Sequence, residues 1–357
     1  MSTIEKFARP ADAPAWHVPQ SFDTTFPWEY EDGRTKLLNL YEKGKKLQWN
    51  AQERIDWSQD LDPENPEGLP DEIIPIFGTP IWDRLTTKER ANVRRHFQAW
   101  QTSQFMHGEQ GALICTGKIV QQVPQMDAKF YAATQVVDEA RHVEAFSRLL
   151  HEKFDLTYPI NPPLKALLDD VLSDSRWDMT YLGMQVLIEG VALAAFGLIR
   201  DQAQNQLAAS VNAYVMQDEA RHVAFGRLAL RDYYPELSDK ERDEREEFAV
   251  DACYLLRDRF KAEEVWETLG LPVDECAAIT EHSETLRTFR SMLFTRIVPT
   301  MKDIGLFGPR IQKAYADMGI LGFQDADLEA VSAHDEEVAT EFDQRHQEIV
   351  QVAALGR

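Results

Sequence analysis

Apolar residues return every three or four positions through most of this chain, and the period-two alternation of strands is nearly absent. Between about Thr86 and Tyr234 the helical pattern is long and has few breakers. Thr86 or Thr87 can cap the first helix, although Thr87-x-x-Arg90 makes a poor capping box. That helix runs to about Gln122, where Val123-Pro124 breaks it, and a second runs from Pro124 to Lys153. Asn161-Pro162-Pro163 precedes a short helix, Leu164–Ser173. A third long helix is expected over Trp177–Ala203, and a fourth over Asn205–Tyr234, ended by Pro235. Beyond lie helices at 238–268, 274–302, 309–318 and 326–354.

The N-terminal region reads differently. Pro10, Pro14, Pro19 and Pro27, then the D-P-E-N-P-E-G-L-P stretch at 62–70, break any long helix, leaving room for one or two short ones within Thr35–Trp57. The expected fold is all-α: a four-helix core over 86–234, an irregular N-terminal arm over 1–85 packed on it, and additional helices of the same domain over 235–357.

One repeat gives the core its chemistry. Val137-Asp-Glu-Ala-Arg-His-Val143 recurs as Gln217-Asp-Glu-Ala-Arg-His-Val223, at an offset of 80 that Glu109 and Glu189 share. The pattern is Glu-x29-Glu-x-x-His, used twice. Positions i and i+3 lie on one helix face, so Glu139 with His142, and Glu219 with His222, can each reach one point. Glu109 and Glu139 each stand 15 residues from Pro124, and Glu189 and Glu219 each 15 from Gln204. If the chain reverses at both places, four carboxylates and two imidazoles meet at one level. Buried together they cannot all stay ionised without compensation. Two divalent cations supply it, and oxygen with imidazole nitrogen suits iron or manganese. One Glu-x-x-His alone means little; two copies with equally spaced partners mark a metal site.

The doubled D-E-A-R-H resembles the ferritin-like di-iron oxygenases, especially the hydroxylase α-subunits of bacterial multicomponent monooxygenases. It is also similar to the ribonucleotide reductase small subunit, the acyl carrier protein desaturases and the epoxidases of aryl-CoA esters. The resemblance covers about 86–234 and implies a ferritin-like bundle. It implies two iron ions (Fe/Fe, with Mn/Fe as the alternative) that reduce O2, Glu109 and Glu189 as terminal ligands, and Glu139 and Glu219 as bridges. His142 would serve one iron and His222 the other. Asp138 and Asp218 would accept a hydrogen bond from a ligating His and fix its tautomer, with Arg141 and Arg221 paired to them.

Gly108, Gly111, Gly190 and Gly226 stand near the ligands, where helical glycine costs about 1 kcal/mol relative to Ala. They read equally as a cavity or as close helix packing. Gly111, Ala112, Leu113, Phe146, Ala192, Leu193 and Gly226 are the candidate pocket residues, and Phe225 lies among the apolar neighbours. Phe146 stands where common ribonucleotide reductase small subunits carry their radical Tyr, and Leu193 where monooxygenase α-subunits usually have Thr. Both depart from those families. Glu144 and His107 face away from the ligands, and Tyr181 and Tyr214 are expected to be buried with satisfied hydroxyls.

The leading function is therefore a di-iron oxygenase that hydroxylates or N-oxygenates a small organic substrate with O2. The alternatives are a ribonucleotide reductase-like or ligand-binding oxidase, and an iron-storage or peroxide-scavenging protein. A reductase or ferredoxin would supply electrons, and a second copy could pair as a homodimer. The net charge of −22 argues against nucleic acid and against an anionic membrane surface. Cys115, Cys253 and Cys276 form no thiolate metal motif and suggest a reducing cytoplasm. No membrane span is expected, since Glu189 interrupts the most apolar segment, 181–199.

Overall fold

The computed structural model describes residues 18–344 apart from 29, 31, 32, 283, 336, 339, 342 and 343. Those residues are helical or irregular, with no strand among them. Four long helices build the centre: α1 (Thr87–Gln122), α2 (Met126–Arg148), α3 (Trp177–Gln202) and α4 (Gln206–Tyr233). All lie within two residues of their expected starts.

Thr86 starts α1 with a full capping box. Its hydroxyl accepts the Glu89 N–H while the Glu89 carboxylate accepts the Thr86 N–H. This corrects the expectation of a poor box, which counted from Thr87. Two π-helical segments were also not expected. Leu149–Phe154 ends α2, and Leu182–Ile188 widens α3 immediately before Glu189. Extra residues in a π turn rotate the helix beyond them, and such turns often accompany functional sites.

α3 is long and apolar enough to cross a membrane, contrary to the sequence expectation, but 78% of its apolar window is buried inside the protein. It is the core helix of the bundle, apolar on most sides because neighbours cover most sides.

The arm is more ordered than its prolines suggest. Helices Thr35–Lys46 and Ala51–Arg54 form as expected, and Pro80–Arg84 adds a turn capped by Thr79. Arg34 anchors the arm by a bidentate pair with Asp127 at the start of α2. Glu67 and Gly68 accept the backbone N–H groups of Asn205 and Gln204 at the α3–α4 reversal. Gly68 has φ +66°, and a Cβ there would meet the Gln204 Cβ at 2.9 Å, so only glycine suits this join.

The C-terminal helices are more broken than expected. Residues 238–268 divide into α5 (Asp239–Asp258), a tight turn at Arg259–Lys261 and a helix at Glu263–Thr268. Ala262, at φ +52°, makes the break. Residues 274–302 divide into Val273–His282, Glu284–Met292 and Ile297–Asp303. Pro309–Asp317 forms as expected, whereas of 326–354 the described helical run is 328–335 and most of the remainder lies outside the described residues. Val265, Trp266 and Cys276 pack with Trp82, Phe97 and Trp100, joining this region to the arm and to the first turns of α1.

Candidate metal centre

Each Glu-x-x-His pair lies on regular α-helix, so Glu139 and His142 share one face of α2, and Glu219 and His222 one face of α4. Glu109 comes from α1, and Glu189 from α3 directly after its π segment. All six side chains are buried. The structure brings them together in two groups, Glu109–Glu139–His142–Glu219 and Glu139–Glu189–His222, whose donor atoms lie within 4.8 Å of one another. His142 Nδ1 lies 3.1 Å from Glu109 Oε2, 3.4 Å from Glu139 Oε2 and 3.1 Å from Glu219 Oε1. His222 Nδ1 lies 3.1 Å from Glu139 Oε1 and 3.3 Å from Glu219 Oε1. Glu139 belongs to both groups, and Glu219 is in reach of both imidazoles.

The electrostatics are those of a crowd of anions out of water. Burial, then repulsion from Glu219, pushes the Glu109 carboxyl well above its ordinary range. Burial, Glu219 and Glu139 do the same to Glu189. Burial also opposes the charge on Glu139, yet His222 and His142 overcome it and hold that carboxylate low. Burial works against charge on His142 and His222, and the surrounding carboxylates outweigh it.

The donor set fits a pair of cations. Glu139 Oε2, Glu189 Oε2, both Glu219 oxygens and His222 Nδ1 have no hydrogen-bond partner among the described residues. Buried polar atoms left so are costly, and cations between the carboxylates would satisfy all of them at once. Oxygen and imidazole donors without thiolate suit iron or manganese.

The layer behind the ligands is crossed. His142 Nε2 lies 3.1 Å from Asp218 Oδ2 and His222 Nε2 lies 3.2 Å from Asp138 Oδ2, so the Asp of each repeat orients the His of the other. Each imidazole can thus donate from Nε2 and leave Nδ1 free to ligate. Arg141 donates to Asp138 at 2.5 Å and to Asp218 at 2.8 Å, and Arg221 pairs with Asp218. Burial opposes the charge on Asp218, but His142 and the two arginines hold it well below the usual carboxylate range.

Sequence reasoning missed several contributors. Trp49 Nε1 donates to Asp218 Oδ2 at 2.8 Å and Gln48 Nε2 to Asp138 Oδ1 at 2.7 Å, so the arm completes this layer. No local motif announces them. Gln135 Nε2 donates to Glu139 Oε1 at 2.9 Å and to Glu189 Oε1 at 3.1 Å. Its place four residues before Glu139 could have been noticed. Glu144 is exposed and His107 faces the Tyr158 carbonyl, both as expected. Tyr214 packs at a tilt against Trp49, but the buried Tyr181 hydroxyl has no partner among the described residues, contrary to expectation.

The pocket residues need more correction. A cavity beside Glu109, Glu189 and Glu219 is lined by Ala112 and Ala192, as expected, and also by Phe105, Gly108, Met184, Ile188, Phe196 and Arg259. Gly111 and Gly226 do not line it. A Cβ on Gly111 would meet Leu168 at 2.6 Å, and one on Gly226 would meet Gln185 at 2.5 Å, so both allow close helix packing. Gly190 likewise faces Ile297, leaving Gly108 as the cavity glycine. Phe146 belongs to a ring cluster with Phe105 and Phe196, behind the cavity wall. Leu193 faces a separate groove on the outer side of α3 and α4, Leu113 lines neither space, and Phe225 meets the Tyr131 ring at a tilt and the Tyr181 ring edge to face.

Comparison with curated proteins returns no match. Among solved structures, two variants of an R2-like ligand-binding oxidase with a reconstituted Mn/Fe cofactor are each 17% identical and cover 78% of this chain. They are matched over 95% and 96% of their own chains, with TM-scores of 0.46 and 0.45, too loose to decide a fold. The family described as P-aminobenzoate N-oxygenase AurF matches residues 31–305, which hold the arm helices, all four bundle helices and Arg259. The chain belongs to this family of ferritin-like di-iron oxygenases.

Proposed function

We propose that Glu109, Glu139, His142, Glu189, Glu219 and His222 would hold the two metal ions, the Glu139 and Glu219 carboxylates lying within reach of both imidazoles. The centre serves the N-oxygenation or hydroxylation of a small organic molecule lodged between α1 and α3. The observation that carries the assignment is the convergence of all six buried donors, five of whose atoms make no hydrogen bond among the described residues. When bound, the metals supply the electrons that reduce O2. The chain's own residues hold the ligands still and keep water out. Asp218 and Asp138 hold the imidazoles, Gln135 ties Glu139 to Glu189, and Phe105, Ala112, Met184, Ile188 and Phe196 give the cavity dry walls.

A reductase or ferredoxin restores the electrons in this reading, since the three cysteines are buried singly and offer no dithiol. A radical subunit like that of ribonucleotide reductase is disfavoured by Phe146, a side chain with no oxidisable hydroxyl.

Anaerobic loading with Fe(II), iron counting and rapid mixing with O2 test the assignment. Two irons per chain and a transient visible absorption are expected. One tightly held zinc with no reaction towards O2 would sink it.

A further inference from the structure

Every fourth residue along one buried face of α2 is polar: Asp127, Tyr131, Gln135 and Glu139. α3 repeats the pattern with Tyr181, Gln185 and Glu189, also buried, and its π segment carries Gln185. Gly226 of α4 lets Gln185 in, since a Cβ there would meet the Gln185 Cβ at 2.5 Å. Gln135 joins the two rows at their inner end, donating to both Glu139 and Glu189. Further out, Phe225 sits between the Tyr131 and Tyr181 rings, with centroids 4.3 and 5.1 Å away.

Five polar atoms along this seam make no hydrogen bond among the described residues: the Tyr131 and Tyr181 hydroxyls, Gln135 Oε1 and both ends of the Gln185 amide. Phe and Leu would fill such places in a core built only for packing, because a buried polar group without a partner is costly. Ordered water, which makes about three hydrogen bonds, is what pairs groups of this kind.

The groups stand in sequence from the end of the bundle to its centre. Burial pushes both phenols up, so both stay neutral. Beyond burial, Tyr181 feels Arg34, Asp127 and Tyr131, whereas Tyr131 feels His222, Arg221, Asp138 and Glu189. The outer end meets solvent: the half-buried Arg34 reaches both Asp127 and the exposed Asp232. Asp127 and Glu139 stand three four-residue steps apart, about 18 Å of helix.

Inserting one atom of O2 into a C–H or N–H bond and turning the other into water consumes two electrons and two protons. The electrons come from the reductase or ferredoxin of the reading above. The protons need their own way in, because Phe105, Ala112, Met184, Ile188 and Phe196 wall the cavity between α1 and α3. Resting on that oxygenase reading, we infer that Asp127, Tyr181, Tyr131, Gln185 and Gln135 form a water-bridged proton route from the Arg34 end of the bundle to the metal ligands. A proton taken up at Asp127 passes inward through water. Each phenol oxygen accepts one proton as it gives up its own, and so ends neutral. Gln185 and Gln135 fix the waters between Tyr131 and Glu189 and carry no proton themselves.

Two measurements test the route. A high-resolution crystal structure of the zinc-loaded protein should show ordered waters bonded to Tyr131, Tyr181 and Gln185. On iron-loaded protein, steady O2 consumption with ascorbate as electron donor, less the zinc-loaded blank, should fall about tenfold or more in Tyr131→Phe and in Tyr181→Phe. The solvent isotope effect in D2O should grow in both, and the iron count should stay the same. Tyr234→Phe removes a buried, unpartnered hydroxyl off the seam and should match the wild type. A seam without water overturns the inference, and needs no variant to fold. So does an unchanged rate in either seam variant, or a slower rate with an unchanged isotope effect, which marks a packing defect. These failures leave the oxygenase reading standing, whereas a wild type that never consumes O2 sinks that reading and the route with it.

Discussion

The two copies of D-E-A-R-H-V are the same in sequence and differ in what surrounds them. In the first, Gln135 stands four residues before Glu139 and bridges it to Glu189. In the second, the matching position is Val215, a core residue with no polar atom. Glu109 rides on regular helix, whereas Glu189 follows a π segment. Behind the ligands, Asp218 takes Trp49 and Asp138 takes Gln48. A duplicated motif brings the six buried donors together. The asymmetry around them makes the two donor groups unequal and leaves a cavity beside Glu109, Glu189 and Glu219.

The largest expected effect treats the copies as equals. Glu139→Ala and His222→Ala should each lose metal while keeping most helical content, because bundle packing rather than the ligands holds the helices. Metal analysis beside circular dichroism checks this. Stoichiometric metal retained in both variants would break the ligand assignment.

The crossed second layer comes next. Asp218→Asn should disturb His142, and Asp138→Asn should disturb His222, each weakening metal affinity by about 10- to 100-fold. The Asp218 change should be the larger, since that carboxylate accepts from Trp49, Arg141 and Arg221, whereas Asp138 accepts from Gln48 and Arg141. Site-resolved histidine NMR of zinc-loaded protein reads which ring responds. A response confined to the His of the same repeat would undo the crossing.

A third effect belongs to the first half alone. Burial pushes the Glu67 carboxyl from its ordinary 4.5 up to about 7, although the Thr102 hydroxyl opposes it. The folded value is the raised one. Stability is therefore fully present below the unfolded value near 4.5 and is lost as pH climbs through 7, on the order of 3 kcal/mol in all. Glu67→Gln should flatten this decline between pH 5 and 8 in denaturant titrations. An unchanged slope would show the carboxyl to be solvated.

The smallest effect separates two glycines on one helix. Gly111→Ala should destabilise by about 1–3 kcal/mol, because its Cβ would strike Leu168. Gly108→Ala meets nothing within 4 Å and should be neutral or stabilising by up to about 1 kcal/mol. Thermal unfolding of the pair decides. Equal losses would mean that the cavity beside Gly108 closes in solution.

Much of the centre was legible in advance. Glu-x-x-His is a statement about one helix face, and equal spacing about Pro124 and Gln204 is a statement about two reversals, so local geometry sufficed to unite six residues. The cavity was less legible. Gly111 and Gly226 looked like sites of open space, yet Leu168 and Gln185 come from other elements to fill it. Gln48, Trp49 and Arg259 carry no motif at all, because their roles depend on where a distant segment lands.

The sequence alone determined the all-α class, the bundle helices and the six donors that converge in the core, because each follows from a helix period and a count of residues between turns. Tertiary structure decided the rest. The π segment before Glu189, the crossing of Asp138 and Asp218 and the arm behind them arise from contacts between elements far apart in the chain. So does the arrival of Arg259, from the turn after α5, at the cavity between α1 and α3.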